Sequence, residues 1–561
     1  MGRSSAVLAL LVFSAFNALG TPAPGGFRFE VVYADSLSSA PLDGRVLLIV
    51  STRKDVEPRT LGGQRRNGQP LFGIDVENWK AGQPAVVDAT VLGYPISSLG
   101  EIPAGTYYVQ AVLNRYTTFH RSDGKTIKLH ADQWEGQRWA TGPGNLVSEP
   151  QQVTIDPKKE SVVRVTLTRR LPAVVPPKDS RLVKHIKFKS ELVSKFWGQD
   201  IFIGAAVLLP EGFEQHPNAR YPVAYLQGHF AQTIGGFRDT PPSPDARGAD
   251  SANQARAYAF YQKWTGPTFP RMLVVMPQDP NPYYDDSYAV NSVNVGPYGD
   301  AMMQELIPTV EKQFRAIGQG WSRTLFGGST GGWRTEALQY FHPDDFNGAW
   351  AFCPDAVDFR KFRLTNIYED ESLYYPNDEW KKDPIRPFSR NPDGQALMSE
   401  RDGSLLEAVL GSRGRSGGQQ HIFEAVFGPI GDDGYPKLLW DAKTGLIDKS
   451  VATYWAEHFD LRRHLEKNWT TLGPKLQGKV RIWVGDADTY HLDGASVLVD
   501  QFFRNTTNPR SDALVVFGKD KPHCWSGQPD GMSTTEHYLP EMAAHIARTA
   551  PAGADLASWK Y

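Results

Sequence analysis

From Phe27 to Arg170 the chain alternates short β-branched and aromatic runs with clusters of Gly, Pro, Asn and Asp, as in FRFEVVYAD, GRVLLIVS, AVVDATVLGYP, TYYVQAVLNRYTTF and SVVRVTLTRR. In the last run Val163, Val165 and Leu167 fall on one side and Arg164, Thr166 and Thr168 on the other, the two-residue period of a half-buried strand. This pattern predicts an all-β sandwich over residues 25–170. LPAVVPPKDS follows, and its three prolines withhold the backbone donors that a helix or a central strand requires. A linker is therefore expected over residues 171–182. Beyond it, apolar runs (IFIGAAVLL, PVAYLQ, RMLVVMP, RTLFG, NGAWAF, VRIWVG, ALVVFG) alternate with helical periodicity. In YGDAMMQELIPTVEKQFRAI, Met303, Leu306, Val310 and Phe314 recur at spacings of three and four. Strands and helices in alternation predict an α/β fold, a mostly parallel sheet covered on both faces, over residues 183–550. One connection, residues 354–479, is too long to lack structure of its own and is a natural source of a lid or substrate-binding cap.

Composition adds limits. The chain has 561 residues and a formal net charge of −2, so it carries no bulk charge to attract nucleic acid. Residues 1–20 hold one arginine, an apolar run and small residues at Ala18 and Gly20, the layout of a secretory signal, which implies a secreted or periplasmic protein. The run is shorter than the ~20 residues of a membrane span, and no later stretch is uniformly apolar for that length. Two cysteines, Cys353 and Cys524, exclude a disulfide-dense scaffold and a cysteine zinc cluster. Asn468 and Asn505 head glycosylation sequons, patterns short enough to arise by chance.

The chemistry centres on Gly327-Gly328-Ser329-Thr330-Gly331. With 52 glycines in the chain the G-x-S-x-G pattern is weak alone, and it recurs at Gly414–Gly418, which reads as a solvated loop with no strand before it and no helix-forming run after it. The copy at Ser329 follows RTLF and precedes GWRTEALQYF, where Trp333, Ala337 and Phe341 form one helix face. Strand, tight glycine turn and helix is the context of a nucleophile elbow, and the helix start turns free backbone donors toward a developing oxyanion. A serine needs an imidazole to take its proton, and the imidazole needs a carboxylate to fix its tautomer. The strand VRIWVG ends before Asp486 and Asp488; Asp488 suits the loop better and Asp486 is its rival. Of 13 histidines, His491, His523, His537 and His545 lie beyond that strand, and only His523 directly follows the strand ALVVFG. His491 is too near Asp488 along the chain, and His537 and His545 share a C-terminal helix as surface or packing residues. Thr330 N–H and the backbone of His229, after PVAYLQGH, are the expected oxyanion donors. His229 has no His or acidic neighbour at ligand spacing, so no metal is expected.

Together, YPVAYLQGH, NVGPYGDAMMQELIPTVEKQFR, GGSTGGW, WVGDADTYHLDG and PHCW resemble the putative esterase family of α/β-hydrolases, which includes esterase D-type enzymes, feruloyl and acetyl-xylan esterases, mycolyltransferases and enterochelin esterases. The resemblance runs from His185 to Arg548 and implies an α/β-hydrolase fold, the triad Ser329, Asp488 and His523, and no cofactor. It implies a serine carboxylesterase-type hydrolase acting on a small-molecule or carbohydrate-linked ester. Gln227-Gly228-His229 stands where many relatives have His-Gly, and residues 354–479 exceed the usual insertion, so substrate preference does not carry over. Cys353 ends the strand after the elbow helix and Cys524 adjoins His523, so a disulfide pinning the His523 loop is expected, with two buried thiols as the alternative. A serine peptidase of prolyl-oligopeptidase type and a non-catalytic hydrolase-fold binding protein are the competing functions. Trp134 and Trp139 would stack on sugar rings if the N-terminal region bound carbohydrate, or else anchor a loop on the core.

Overall fold

The computed structural model describes residues 26–62, 68–377, 380 and 385–561. The expected signal, residues 1–20, lies outside them. Among the described residues no helix is long and apolar enough to cross a membrane.

All seven apolar runs after the linker become strands, joined by Val183–Lys189 in one eight-stranded sheet. Its order is Val183–Lys189, Phe202–Leu208, Leu273–Gln278, Val223–Gln227, Arg323–Gly328, Ala349–Phe352, Val480–Gly485 and Leu514–Gly518. The first two pairings are antiparallel and the remaining five parallel. This is the α/β-hydrolase arrangement, in which the carboxyl ends of the parallel strands share one edge where loops can converge. The helix expected after Gly296 runs from Tyr298 to Gln313, with a π-helical turn at Met302–Leu306 ahead of Pro308. Residues 171–182 form neither helix nor strand.

The N-terminal region departs from the expected sandwich. Nine of its eleven strands hydrogen-bond into one sheet instead of two, and Thr117–His120 and Thr126–Leu129 pair apart from it. The reason lies in Gly105–Arg115: its first half pairs with Gln151–Ile155, and Val112 and Leu113 pair with Val147 and Leu146. The ladder thus passes from one layer to the other without a break. The sheet then curls until Ala85–Val87, at one end of the order, lies against Leu71–Trp79 near the other. Val46, Leu48, Phe29, Ala111 and Leu167 fill the enclosed core.

Both faces of the strand Leu42–Ser51 are buried. Leu47 and Ile49 point outward and pack with Phe388, Leu406 and Val409 of the long insertion. The insertion is therefore held between the two sheets. Its second G-x-S-x-G copy is not solvated: Arg415 and Ser416 are buried, Arg415 pairs with Asp75 of the N-terminal sheet at 3.0 Å, and Ser416 donates to Glu407 at 2.9 Å. A helix, Gln419–Phe427, does follow it, but Glu400–Leu410 precedes it, so no strand-to-helix elbow forms. Trp134 is buried and meets Phe230 edge-on at 5.2 Å, while Trp139 packs beside the core shared with the insertion. Both tryptophans pack against their surroundings, Trp134 fully and Trp139 in part.

Candidate active site

The strand Arg323–Gly328 reaches the carboxyl edge and turns into the helix Thr330–Phe341 within one residue. That residue is Ser329, at φ 59° and ψ −125°, a conformation costly for a side chain and held here by its surroundings. Ser329 N–H donates to Phe352 O at 3.0 Å, and its carbonyl accepts from Gly332, Trp333 and Asp355. The glycines are required by contact: a Cβ on Gly327 would lie 2.5 Å from Gln227 O, and one on Gly332 2.7 Å from Phe352 O. The helix is buried on every side from Thr330 to Tyr340. The single apolar face read from Trp333, Ala337 and Phe341 understates this, because the insertion covers the side that faces away from the sheet.

Asp488 and His523 follow the last two strands. Asp488 is fully buried; its Oδ1 accepts from the N–H groups of Tyr490 and Leu492, and its Oδ2 lies 2.8 Å from His523 Nδ1. The rival Asp486 is exposed and accepts from Asp520 N–H at 2.6 Å, so it ties the two loops together and does not reach the imidazole. Arg390 of the insertion holds the Asp488 carbonyl at 3.0 Å, and the Tyr490 ring stands edge-on to His523 at 4.8 Å. His545 is a packing residue bonded to Asn347 O, and His491 is buried with no bond to the Asp488 carboxylate among the described residues.

Ser329 and His523 line one cavity of about 410 Å³, and Gly328, Asp355, Cys524 and His229 share its wall. Ser329 Oγ makes no hydrogen bond among the described residues. Unliganded hydrolases often keep this contact open until substrate enters. The insertion supplies the aromatic side of the cavity through Phe362, Phe388 and Phe423, and Tyr490 completes it.

Cys353 and Cys524 are near each other, as expected, but they are two free thiols with sulfurs 3.1 Å apart. The bridge is not formed. Both sulfurs lie against the position a Cβ on Gly328 would occupy. Cys524 is lowered to about 5 by its hydrogen bond to Cys353 and by His523, against burial. Burial opposes the His523 charge, but the Asp488 carboxylate and Cys524 outweigh it and raise the imidazole to about 10.

Several groups escape a reading of the sequence. Asp355 accepts from Tyr288 OH at 2.8 Å and from Thr330 Oγ1 at 3.0 Å, and burial raises its carboxyl. Gln419 donates to Thr330 Oγ1 at 3.2 Å from the insertion. Together they fix the Thr330 side chain. Arg334, fully buried, pairs with Asp279 at 2.8 Å and donates to the Gly228 carbonyl at 3.2 Å, which orients the segment bearing His229. His229 does have acidic neighbours: Asp285 and Asp286 approach its Nδ1 to 3.0 and 3.2 Å. They lie far along the chain, so spacing around His229 could not reveal them. The doublet YYDDSY was the available signal.

Residues 200–384 match the family model described as Esterase: Putative esterase. No curated protein matches the sequence. Among solved structures, a ferulic acid esterase aligns with 65% of this chain and 99% of its own at 15% identity and a TM-score of 0.36. An S-formylglutathione hydrolase from Agrobacterium tumefaciens aligns with 66% of this chain and 97% of its own at 12% identity and a TM-score of 0.32. A CE1 ferulic acid esterase from Anaeromyces mucronatus, in complex with ferulic acid, aligns with 63% and 89% at 13% identity and a TM-score of 0.28.

Proposed function

We propose, from the premise that residues 200–384 make this an esterase-type serine hydrolase of the Putative esterase family, that Ser329, His523 and Asp488 are the triad of a carboxylic ester hydrolase. The observation that carries the reading is the 2.8 Å bond from the fully buried Asp488 to His523 Nδ1 in the same cavity as the strained Ser329. With Nδ1 bound to the carboxylate, Nε2 is the nitrogen free to accept the Ser329 proton. Ser329 Oγ then bonds the ester carbon, the C–O bond to the alcohol breaks, and the alcohol leaves with the proton from His523. Water, deprotonated by the same imidazole, releases the acid. Thr330 N–H and His229 N–H are the backbone donors for the oxyanion, each held by a buried partner, Asp355 for Thr330 and Arg334 for the Gly228 carbonyl before His229.

The aromatic wall and the 410 Å³ volume suit a small ester with a flat apolar part. Among the described residues the strands before the hydrolase sheet form one curled sheet and a separate pair, and no propeller, which favours an esterase over a prolyl-oligopeptidase-type peptidase. Export rests on residues 1–20 alone, and N-terminal sequencing of the mature protein tests it. The function is tested with p-nitrophenyl acetate, a peptide panel and a fluorophosphonate probe. Turnover of the ester and labelling at Ser329 are expected, both lost in Ser329→Ala. Turnover that survives in Ser329→Ala refutes the triad.

A further inference from the structure

His229 is fixed from behind by charge. Its Nδ1 lies 3.0 Å from Asp285 Oδ1 and 3.2 Å from Asp286 Oδ2. Asp286 is only 1% exposed; its Oδ1 accepts from Tyr288 N–H, and its Oδ2 has no hydrogen bond and faces the imidazole. Arg334 lies 3.9 Å from the first of these oxygens and pairs more closely with Asp279. Two carboxylates converging on one ring nitrogen require that nitrogen to carry a proton, and they stabilise a charge on the ring. The ring's other nitrogen is then the one left for the cavity, whose wall His229 shares with Ser329.

The surroundings hold this orientation. The Tyr284 ring stands edge-on to His229 at 5.8 Å. The N-terminal loop closes behind it, for a Cβ on Gly136 would lie 3.1 Å from Phe230 and 3.2 Å from Asp285 Cβ. Burial disfavours the charged ring, but Asp285 and Asp286 outweigh burial and raise His229 to about 11. Asp355 lines the same cavity as His229 and His523.

We propose that the His229 side chain is itself a catalytic donor: its Nε2–H hydrogen-bonds the substrate carbonyl oxygen as that oxygen turns negative, adding a charged contact to the backbone donors. The proton stays on His229 throughout, and only the hydrogen bond strengthens. A preorganised donor of this kind is worth more in the transition state than in the bound ester, so its removal should appear in kcat. The inference rests on Ser329 as nucleophile.

The experiment compares His229→Ala and His229→Gln with the parent on p-nitrophenyl acetate, rates being expressed per fluorophosphonate-titrated site and folding checked by Tm. The expected result is a kcat loss on the order of 10²-fold in His229→Ala with KM nearly unchanged, and partial recovery in His229→Gln, which restores a neutral donor. Asp285→Asn keeps the imidazole but removes one carboxylate. The groups facing the ring are then Asp286, Tyr284, Asp355 and, beneath, Arg334, and the alkaline limb of kcat should move to lower pH. A His229→Ala enzyme within about threefold of the parent in kcat overturns the proposal, as would an unmoved alkaline limb in Asp285→Asn. So would activity lost to a chelator and restored by Zn²⁺ or Mn²⁺, because the cluster would then hold a cation where the proton is placed. Hydrolysis surviving in Ser329→Ala instead defeats the triad and is read separately.

Discussion

Replacing Gly331 with alanine would place a methyl group where the end of the strand Val223–Gln227 already stands. The new Cβ would lie 2.6 Å from Gln227 C and 3.0 Å from Gly228 N, and closer still to Gln227 O, whereas ordinary contact begins at 3.4 Å. Every atom it meets is backbone, so no side chain can swing aside. Relief to ordinary contact requires the Gln227–Gly228 peptide to retreat by about an ångström or more. That peptide carries the carbonyl gripped by Arg334 and leads directly to His229. Overpacking of this kind costs about 1–3 kcal/mol. An error of ~1 Å in catalytic geometry costs ~10²-fold in rate. Gly331→Ala should thus lower Tm by only a few degrees while lowering kcat on p-nitrophenyl acetate by one to two orders of magnitude. Gly235→Ala, with nothing within 4 Å of its Cβ, is the matched control and should change neither. Gly331→Ala with parental kcat would mean that the approach of helix to strand does not set the oxyanion side.

Asp488→Asn should lower kcat by ~10³–10⁴-fold through loss of the imidazole's tautomer and charge partner, while Asp486→Asn, which never touches His523, should stay within a few-fold in the same assay. Cys524→Ala removes a group that raises His523, so the acid limb of kcat/KM against pH, which tracks deprotonation of the base, should move to lower pH; a limb that does not move denies that Cys524 acts on His523. Mass after alkylation of unreduced native protein should show two labels, and none would mean that Cys353 and Cys524 are bridged. His491 and His545 are each lowered to about 4, by burial first and by neighbouring arginines second. A histidine depressed in the fold binds its proton more readily when unfolded, so the stability it contributes is present above pH 6.5 and is lost as pH falls toward 4. Urea unfolding at pH 7 and pH 5 should show that decline, and His545→Gln should flatten it.

The sequence alone determined what depends on neighbours in the chain. Alternation marked strands of the N-terminal region because a half-buried ribbon must repeat every two residues, and every apolar run named after the linker became a strand of the hydrolase sheet, whose inner strands are covered on both faces. The strand–glycine–helix order singled out Ser329 over Ser416, since a turn so sharp can be written only with small residues on both sides. Chain order after the strands Val480–Gly485 and Leu514–Gly518 led to Asp488 and His523, because loops at one sheet edge converge wherever parallel strands end. Tertiary structure decided what depends on groups distant in the chain. The N-terminal strands closed into one curled sheet because Gly105–Arg115 divides an edge between two partners, a pairing no periodicity encodes. Arg415 and Ser416 look like solvated loop residues and are buried because the N-terminal sheet and the insertion meet on them. Asp285 and Asp286 reach His229, and Cys353 reaches Cys524 without bonding, through space that only the packed chain defines. Electrostatics acts over ångströms of distance, not over residues of sequence, so the charges that tune the two cavity imidazoles became readable only once the fold had brought them together.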